Sequence, residues 1–218
     1  MEPMLPTAAT GRRPRRRTQE ERRAETRNKL IDATILLLQE KGAATMTTEE
    51  IATTAGVTRG ALQYHFASPK ELLKATVTEI ADRLSIRMDV GELKKLDLPE
   101  RIDRVVDFYW RGFGSPTYIA IIELAVGNRL DPELGSTIRE TLAELERERS
   151  AIWSEIFFDS ELNQEEVLSW RSSLLVMLRG LALTKMLSAP EKSVEPRIRQ
   201  LKDMFNIYLD QARHRKSA

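Results

Sequence analysis

With 218 residues, 41% hydrophobic and 31% charged, the chain has enough apolar material for a sizeable core and reads as a soluble globular protein of one or two domains. It has no cysteine and only two histidines, His65 and His214. That excludes a disulfide framework and a thiolate metal site, argues against a histidine-based metal or catalytic cluster, and leaves no cofactor to expect. The net charge of +1 hides a gradient: residues 1–75 hold thirteen Lys/Arg against nine Asp/Glu, and the remainder holds twenty-one against twenty-four. No secretory h-region opens the chain and no apolar run reaches the ~18–20 residues of a membrane span, so a cytoplasmic location is expected.

Taken in order, residues 1–17 form a Pro-containing arm ending in GRRPRRR, with five arginines between Gly11 and Arg17. Its composition predicts disorder. Such an arm adds phosphate contacts or enters a minor groove, or else is a solvated tail that raises non-specific affinity. Helix 1 is predicted from Thr18, whose capping partner is Glu21, to about Lys41, with Leu30, Ala33, Thr34, Leu37 and Leu38 buried and Gly42 as C-cap. Two short helices follow, roughly Thr48–Ala55 and Arg59–Phe66, around a tight turn at Ala55-Gly56-Val57. Thr47 with Glu50, and Ser68 with Glu71, bracket them as capping boxes, and Pro69 fits the first position of the next helix. Leu62 and Phe66, four apart, face the core.

Two short helices about a Gly-containing turn make a helix-turn-helix, whose second helix can lie in a DNA major groove. The stretch IATTAGVTRGALQYHF resembles the DNA-binding signature of the tetracycline-repressor (TetR-type) family of bacterial one-component regulators. Ile51, Ala52, Ala55, Gly56, Val57, Thr58, Gly60, Leu62, His65 and Phe66 match its pattern. The likeness covers the first third of the chain. Two positions depart: Gln63 stands where Tyr is usual, and Pro69 where a phosphate-binding Lys is usual, with Lys70 one place later.

Candidate DNA contacts follow from residue type. Thr58 caps helix 3, and its hydroxyl and the amides after it can meet a phosphate. Arg59 can reach guanine or a phosphate, and Gln63 suits adenine N6/N7 and is the first choice for base readout. Gly60 allows close approach of the backbone. Tyr64 and His65 resemble the family's backbone-contacting pair; the alternative for Tyr64 is packing against helix 1, and His65 can equally cap or pack. Lys70 offers a point charge to phosphate, and Thr47 or Thr48 a hydroxyl.

A fourth helix is predicted from Lys70 to about Met88, with Asp89-Val90-Gly91 breaking it. Helix starts are then marked by Asp97-Leu98-Pro99, Ser115-Pro116, Asp131-Pro132, Asn163 with Glu166, and Ser193 with Pro196. The fold expected is all-α with about nine helices: a three-helix DNA-binding domain over 18–68 and a helical effector-binding and dimerisation domain over 69–218. Between Leu174 and Leu187 ten of fourteen residues are apolar and wrap the helix, so that helix is expected to be covered on two sides. Leu174, Leu178, Leu181, Leu201, Phe205 and Tyr208 are the candidate homodimer contacts, which agrees with the resemblance, since the family dimerises through its last two helices. Tyr109, Trp110, Phe113, Tyr118, Ile122, Trp153, Trp170 and Met177 are candidates for a pocket taking an apolar or aromatic small-molecule effector, although aromatics at helical spacing are more often plain core. Glu123, Asn128 and Arg129 could add polar contacts.

The resemblance therefore implies a homodimeric transcriptional regulator that binds an operator of inverted repeats in double-stranded DNA and represses until an effector moves helix 4. An activator or global regulator of the same fold is the alternative, and a helical small-molecule carrier is the alternative from another class. No paired acid/base cluster, nucleophile elbow or cofactor loop suggests an enzyme.

Overall fold

Ten α-helices and no strand make up the described residues of the computed structural model, which are 18–85, 87–187 and 194–217. They are α1 (Gln19–Lys41), α2 (Thr48–Thr54), α3 (Arg59–His65), α4 (Pro69–Leu84), α5 (Val90–Lys94), α6 (Leu98–Phe113), α7 (Pro116–Gly127), α8 (Pro132–Ile156), α9 (Gln164–Leu187) and α10 (Glu195–Ser217). The Arg-rich arm at 1–17 and Ser193, expected near the start of the last helix, lie outside the described residues.

Local chemistry sets the starts. Thr18, Thr47, Thr58, Ser68, Asp89, Asp97, Ser115 and Asp131 each accept an amide N–H of the first turn through the side chain. Each such cap contributes ~1 kcal/mol. Asn163 and Glu166 do the same reciprocally for α9, at 2.9 Å in both directions. Proline occupies the first turn of α4, α6, α7 and α8, where its missing N–H costs nothing. Gly42 stops α1 at φ 75°, in the left-handed region open to glycine.

Two elements differ from expectation. The α4 helix ends at Leu84, four residues before Met88, because the Ser85 N–H bonds back to Asp82 O at 3.1 Å and the Leu84 carbonyl is taken by the Arg149 guanidinium. The segment after it is not merely a break. The Asp89 side chain accepts the Glu92 N–H at 3.0 Å, so one short turn forms, and α5 brings the total to ten.

Packing organises these helices into one continuous core. Helix α1 packs on α2, α3, α4 and α7, and α4 is held among α1, α7 and α8. The remaining layer packs α6 on α9 and α10, and α8 on α9. Leu30, Leu38, Leu72, Ile80, Ile102 and Leu124 are fully buried, each contributing ~1.5–3 kcal/mol. Thr34 and Thr76, buried in α1 and α4, donate to the carbonyls four residues back, so burial strands neither hydroxyl. Arg101 of α6 is buried as well and stitches three elements: it donates to the carbonyls of Leu93 in α5 and Leu96 just after it, to the Ile156 carbonyl at the end of α8, and to Asp159. No helix among the described residues is long and apolar enough to cross a membrane.

Candidate DNA-binding face and effector pocket

The turn between α2 and α3 closes on itself. Ala55 N–H bonds Ile51 O at 2.9 Å, Gly56 N–H bonds Thr53 O at 3.0 Å, and Val57 N–H bonds Ala52 O at 3.0 Å. Gly56 lies at φ 67°, a conformation that side chains resist. Ile51, Ala52, Leu62 and Phe66 are buried beneath. With Leu62 and Phe66 pinned inward, α3 turns Arg59, Gly60, Gln63 and Tyr64 outward together. Tyr64 is 68% exposed, unusual for a tyrosine that serves only packing. A Cβ at Gly60 would meet nothing closer than the Thr58 hydroxyl at 3.9 Å, so the protein's own fold does not require glycine there.

Two residues escaped the sequence reading. Arg23 and Arg27, four apart on α1, reach across to α3: the Arg23 guanidinium lies 5.4 Å from the centre of the Tyr64 ring, and Arg27 lies 5.2 Å from that of Phe66. They were missed because arginines at this spacing in a charged helix look like a solvated face; the i, i+4 pair beside the motif was the available signal. His65 packs edge-on to Tyr64 at 5.3 Å. Burial, then the charges of Arg23 and Arg27, hold its pKa below the ordinary histidine value, so it is a neutral ring at pH 7. Thr58 caps α3 by accepting the Ala61 N–H at 3.1 Å. Thr47 is exposed and Thr48 half-buried at the start of α2, but the Thr47 hydroxyl is engaged with Glu50, which also takes Lys41 at 2.7 Å.

Lys70 is placed differently from its expected role. Its ammonium lies 2.8 Å from Asp131 and 3.1 Å from Glu133 at the N-terminus of α8, while Lys74 pairs with Glu133 at 2.5 Å. The hydrogen bond to Asp131, then that to Glu133, raises the Lys70 pKa. A phosphate at Lys70 would have to compete with both carboxylates, and the same pairs tie α4 to α8.

A cavity of about 1050 Å³ opens between the end of α4, α5 and helices α6 to α9. Of the eight effector candidates it brings together Tyr109, Phe113, Tyr118 and Ile122. The other four lie elsewhere. Trp153 is fully buried, donates its indole N–H to Tyr109 Oη at 2.7 Å and packs on Phe157 and Phe205. Trp170 sits against Phe205 and Tyr208, Met177 packs on the core, and Lys185 covers the Trp110 ring. Glu123, Asn128 and Arg129 are outside the lining too; the last two bond to carbonyls of their own helix end. The polar lining comes instead from Arg83, Arg87, Arg104, Arg111, Arg149 and Arg179 against Asp89, Glu92 and Glu146. Burial raises the Tyr118 pKa, keeping that hydroxyl neutral.

Of the expected dimer contacts, Leu174, Leu178, Leu201 and Phe205 are buried inside the protomer and cannot give area to a partner; Leu181 and Tyr208 are half-buried. The wrap-round apolarity of α9 made inner and outer faces indistinguishable in sequence. The outer face carries Val176 and Leu183 on α9, with Met204 and Ile207 outward on α10. Ser172, Ser173 and Gly180 lie exposed beside them.

Residues 30–76 match the family described as bacterial regulatory proteins, tetR family. Over 173 residues the chain is 30% identical to the HTH-type transcriptional regulator CymR of Pseudomonas putida, covering 78% of this chain and 84% of CymR. It is 42% identical over 65 residues to the HTH-type transcriptional regulator TtgR, also of Pseudomonas putida, covering 30% of each. The transcriptional regulator FadR of Bacillus subtilis, solved in complex with stearoyl-CoA, shares the fold at TM-score 0.63 and 18% identity, over 81% of this chain and 96% of that one.

Proposed function

The chain belongs to the tetR family of bacterial regulatory proteins, DNA-binding regulators of transcription, and from that premise we propose that it is a homodimeric repressor released from its operator by a small-molecule effector with an apolar or aromatic body. The head, residues 18–68, presents α3 to the major groove, with Gln63 reading a base and Arg59 a guanine or phosphate. Thr58, Tyr64 and His65 contact the backbone, Arg23 and Arg27 add phosphate contacts beside them, and Gly60 allows the close approach. Residues 69–218 hold the effector and pair the subunits. Its role is regulation, not catalysis, and its place is the cytoplasm with the DNA.

One observation carries the reading: α4 begins at the Ser68 cap directly after α3 and ends at Arg83 and Leu84, which line the cavity. A single sixteen-residue helix thus joins the DNA-facing element to the pocket wall. An effector that favours one position of that helix shifts the spacing of the two heads by population shift. Pairing through α9 and α10 is supported by the outward Val176, Leu183, Met204 and Ile207, and by Gly180. No neighbour in the protomer lies within 4 Å of a Cβ built at Gly180. Glycine inside a helix costs ~0.5–1 kcal/mol relative to alanine, and close approach of a second helix offsets that. The FadR complex with stearoyl-CoA shows this fold holding a small molecule.

The test is selection of bound sequences from a random DNA pool by the purified chain at two salt concentrations, followed by transcription from a promoter carrying the selected site. An inverted repeat enriched at both salts, and transcription that falls on adding protein, are expected. Sequence-independent binding that vanishes as salt rises overturns the operator reading, and transcription that rises overturns repression.

A further inference from the structure

The polar lining of the cavity is one-sided in charge. The Glu146 carboxylate lies 2.5 Å from Arg171 and 2.8 Å from Arg179, so two guanidiniums already share it. Arg149, one turn further along α8, is half-buried beside them and adds a third positive charge. Its partners are the Leu84 carbonyl and the face of the Tyr109 ring, 5.9 Å from guanidinium to ring centre; no carboxylate among the described residues pairs with it. The cavity around it is walled by Phe108, Tyr109, Phe113, Ile121 and Ile122. A half-buried guanidinium with no carboxylate in ion-pair reach has lost hydration and gained little in return, since nearby Glu146 is already shared by Arg171 and Arg179. Burial accordingly pushes the Arg149 pKa below the ordinary arginine value, although the group stays charged.

Resting on the effector-pocket reading above, we propose that the effector is a monoanionic carboxylate with an apolar ring or chain, its carboxylate received by the Arg149 fork and its apolar part by the aromatic wall. A planar guanidinium matches a carboxylate with two parallel hydrogen bonds, and Arg149 is a half-buried guanidinium of the lining that no carboxylate among the described residues pairs, whereas Arg87 and Arg111 are exposed to water; one carboxylate suffices to balance it. The same residue supplies the coupling. Arg149 holds the carbonyl of Leu84, the last residue of α4. A carboxylate is the stronger acceptor, so its arrival draws the fork from that carbonyl and releases the pocket end of the helix whose other end meets the head. The effector thereby distinguishes the two positions of α4, as any switching ligand must.

Calorimetric titration of the full-length protein with 2-naphthoate and decanoate, each beside its primary amide, tests the assignment. The wild type is expected to bind at least one of the acids about tenfold or more tightly than its amide. Arg149→Gln is expected to weaken the acid by about 10–100-fold and leave the amide unchanged, the range expected for a charged hydrogen bond. Arg149→Lys, which keeps the charge but not the fork, should retain part of the preference. Equal binding of acid and amide by the wild type overturns the proposal while leaving the pocket reading intact. Equal weakening of both by Arg149→Gln, the signature of a brace for α4 alone, does the same. Binding of none of the four compounds overturns the effector-pocket reading along with it.

Discussion

Gln63 and Gly60 sit on the same exposed face of α3, where the proposed function has one read a base and the other allow close approach. An amide side chain pairs with adenine in the major groove through one donor and one acceptor, so Gln63→Ala should cost ~1–3 kcal/mol and relax preference at one position of each half-site. Binding across a set of single-base operator variants measures this; uniform weakening would make Gln63 a backbone contact. Gly60 separates folding from binding. Since a Cβ there meets only the Thr58 hydroxyl at 3.9 Å, Gly60→Ala should raise stability by up to ~1 kcal/mol through helix propensity. The same methyl stands between α3 and the groove, so operator affinity should fall. Thermal melts and operator titration of the one variant read both effects, and unchanged affinity would mean the backbone does not come close to DNA at that point.

At the scale of elements, the junction between α4 and α8 is held by an ion-pair cluster that can be tested on its own. Asp131 both caps α8, accepting the Glu133 and Leu134 N–H groups, and pairs with Lys70 at 2.8 Å. The hydrogen bond from Lys70 is the main cause of its lowered pKa. Asp131→Asn keeps an oxygen for the cap and removes the charge, so it isolates the ion pair. A carboxylate whose folded pKa is lowered contributes stability that is complete above its ordinary value of 3.8 and fades as the pH falls through the folded value. Melting temperatures should therefore differ between wild type and Asp131→Asn at pH 7 and converge as the pH drops below 3.8; a gap that persists at low pH would assign the effect to the cap. The elements themselves were largely legible in the sequence, because Thr18, Thr47, Ser68, Asp97 and Asp131 announce helix starts through chemistry confined to four residues. The missed pieces depend on distant partners. Lys70 looked free until α8, some sixty residues on, placed two carboxylates beside it. Arg101 and Arg149 carry no local signal in the sequence, and only the packing of α5, α8 and the end of α4 around them shows one as a structural stitch and the other as a pocket wall. The same holds for the aromatics: Tyr109 faces the cavity and Trp153, its hydrogen-bond partner, does not, a difference of helix rotation that spacing alone leaves open.

For the whole molecule the question is how one small head gains enough reach. A lone helix-turn-helix contacts few base pairs, whereas a two-fold pair reads half-sites about 34 Å or more apart, and joining two binding events raises affinity by roughly 10²–10⁴. The outward faces of α9 and α10 are the surface proposed for that pairing, and Val176, 63% exposed, stands within it. A glutamate at this position would be solvated in an isolated protomer, where the change should alter stability by no more than about 0.5 kcal/mol. In a two-fold interface each subunit would bury one such unpaired charge, whose desolvation the remaining apolar contacts do not offset. Val176→Glu should therefore leave the helical content intact, convert the species seen by light scattering to a monomer, and weaken operator binding at least about 100-fold. Effector binding should survive, because Val176 lies outside the residues that line the cavity. A variant that stays dimeric and binds its operator as before would move the interface to another face and leave Gly180 without a partner to explain it.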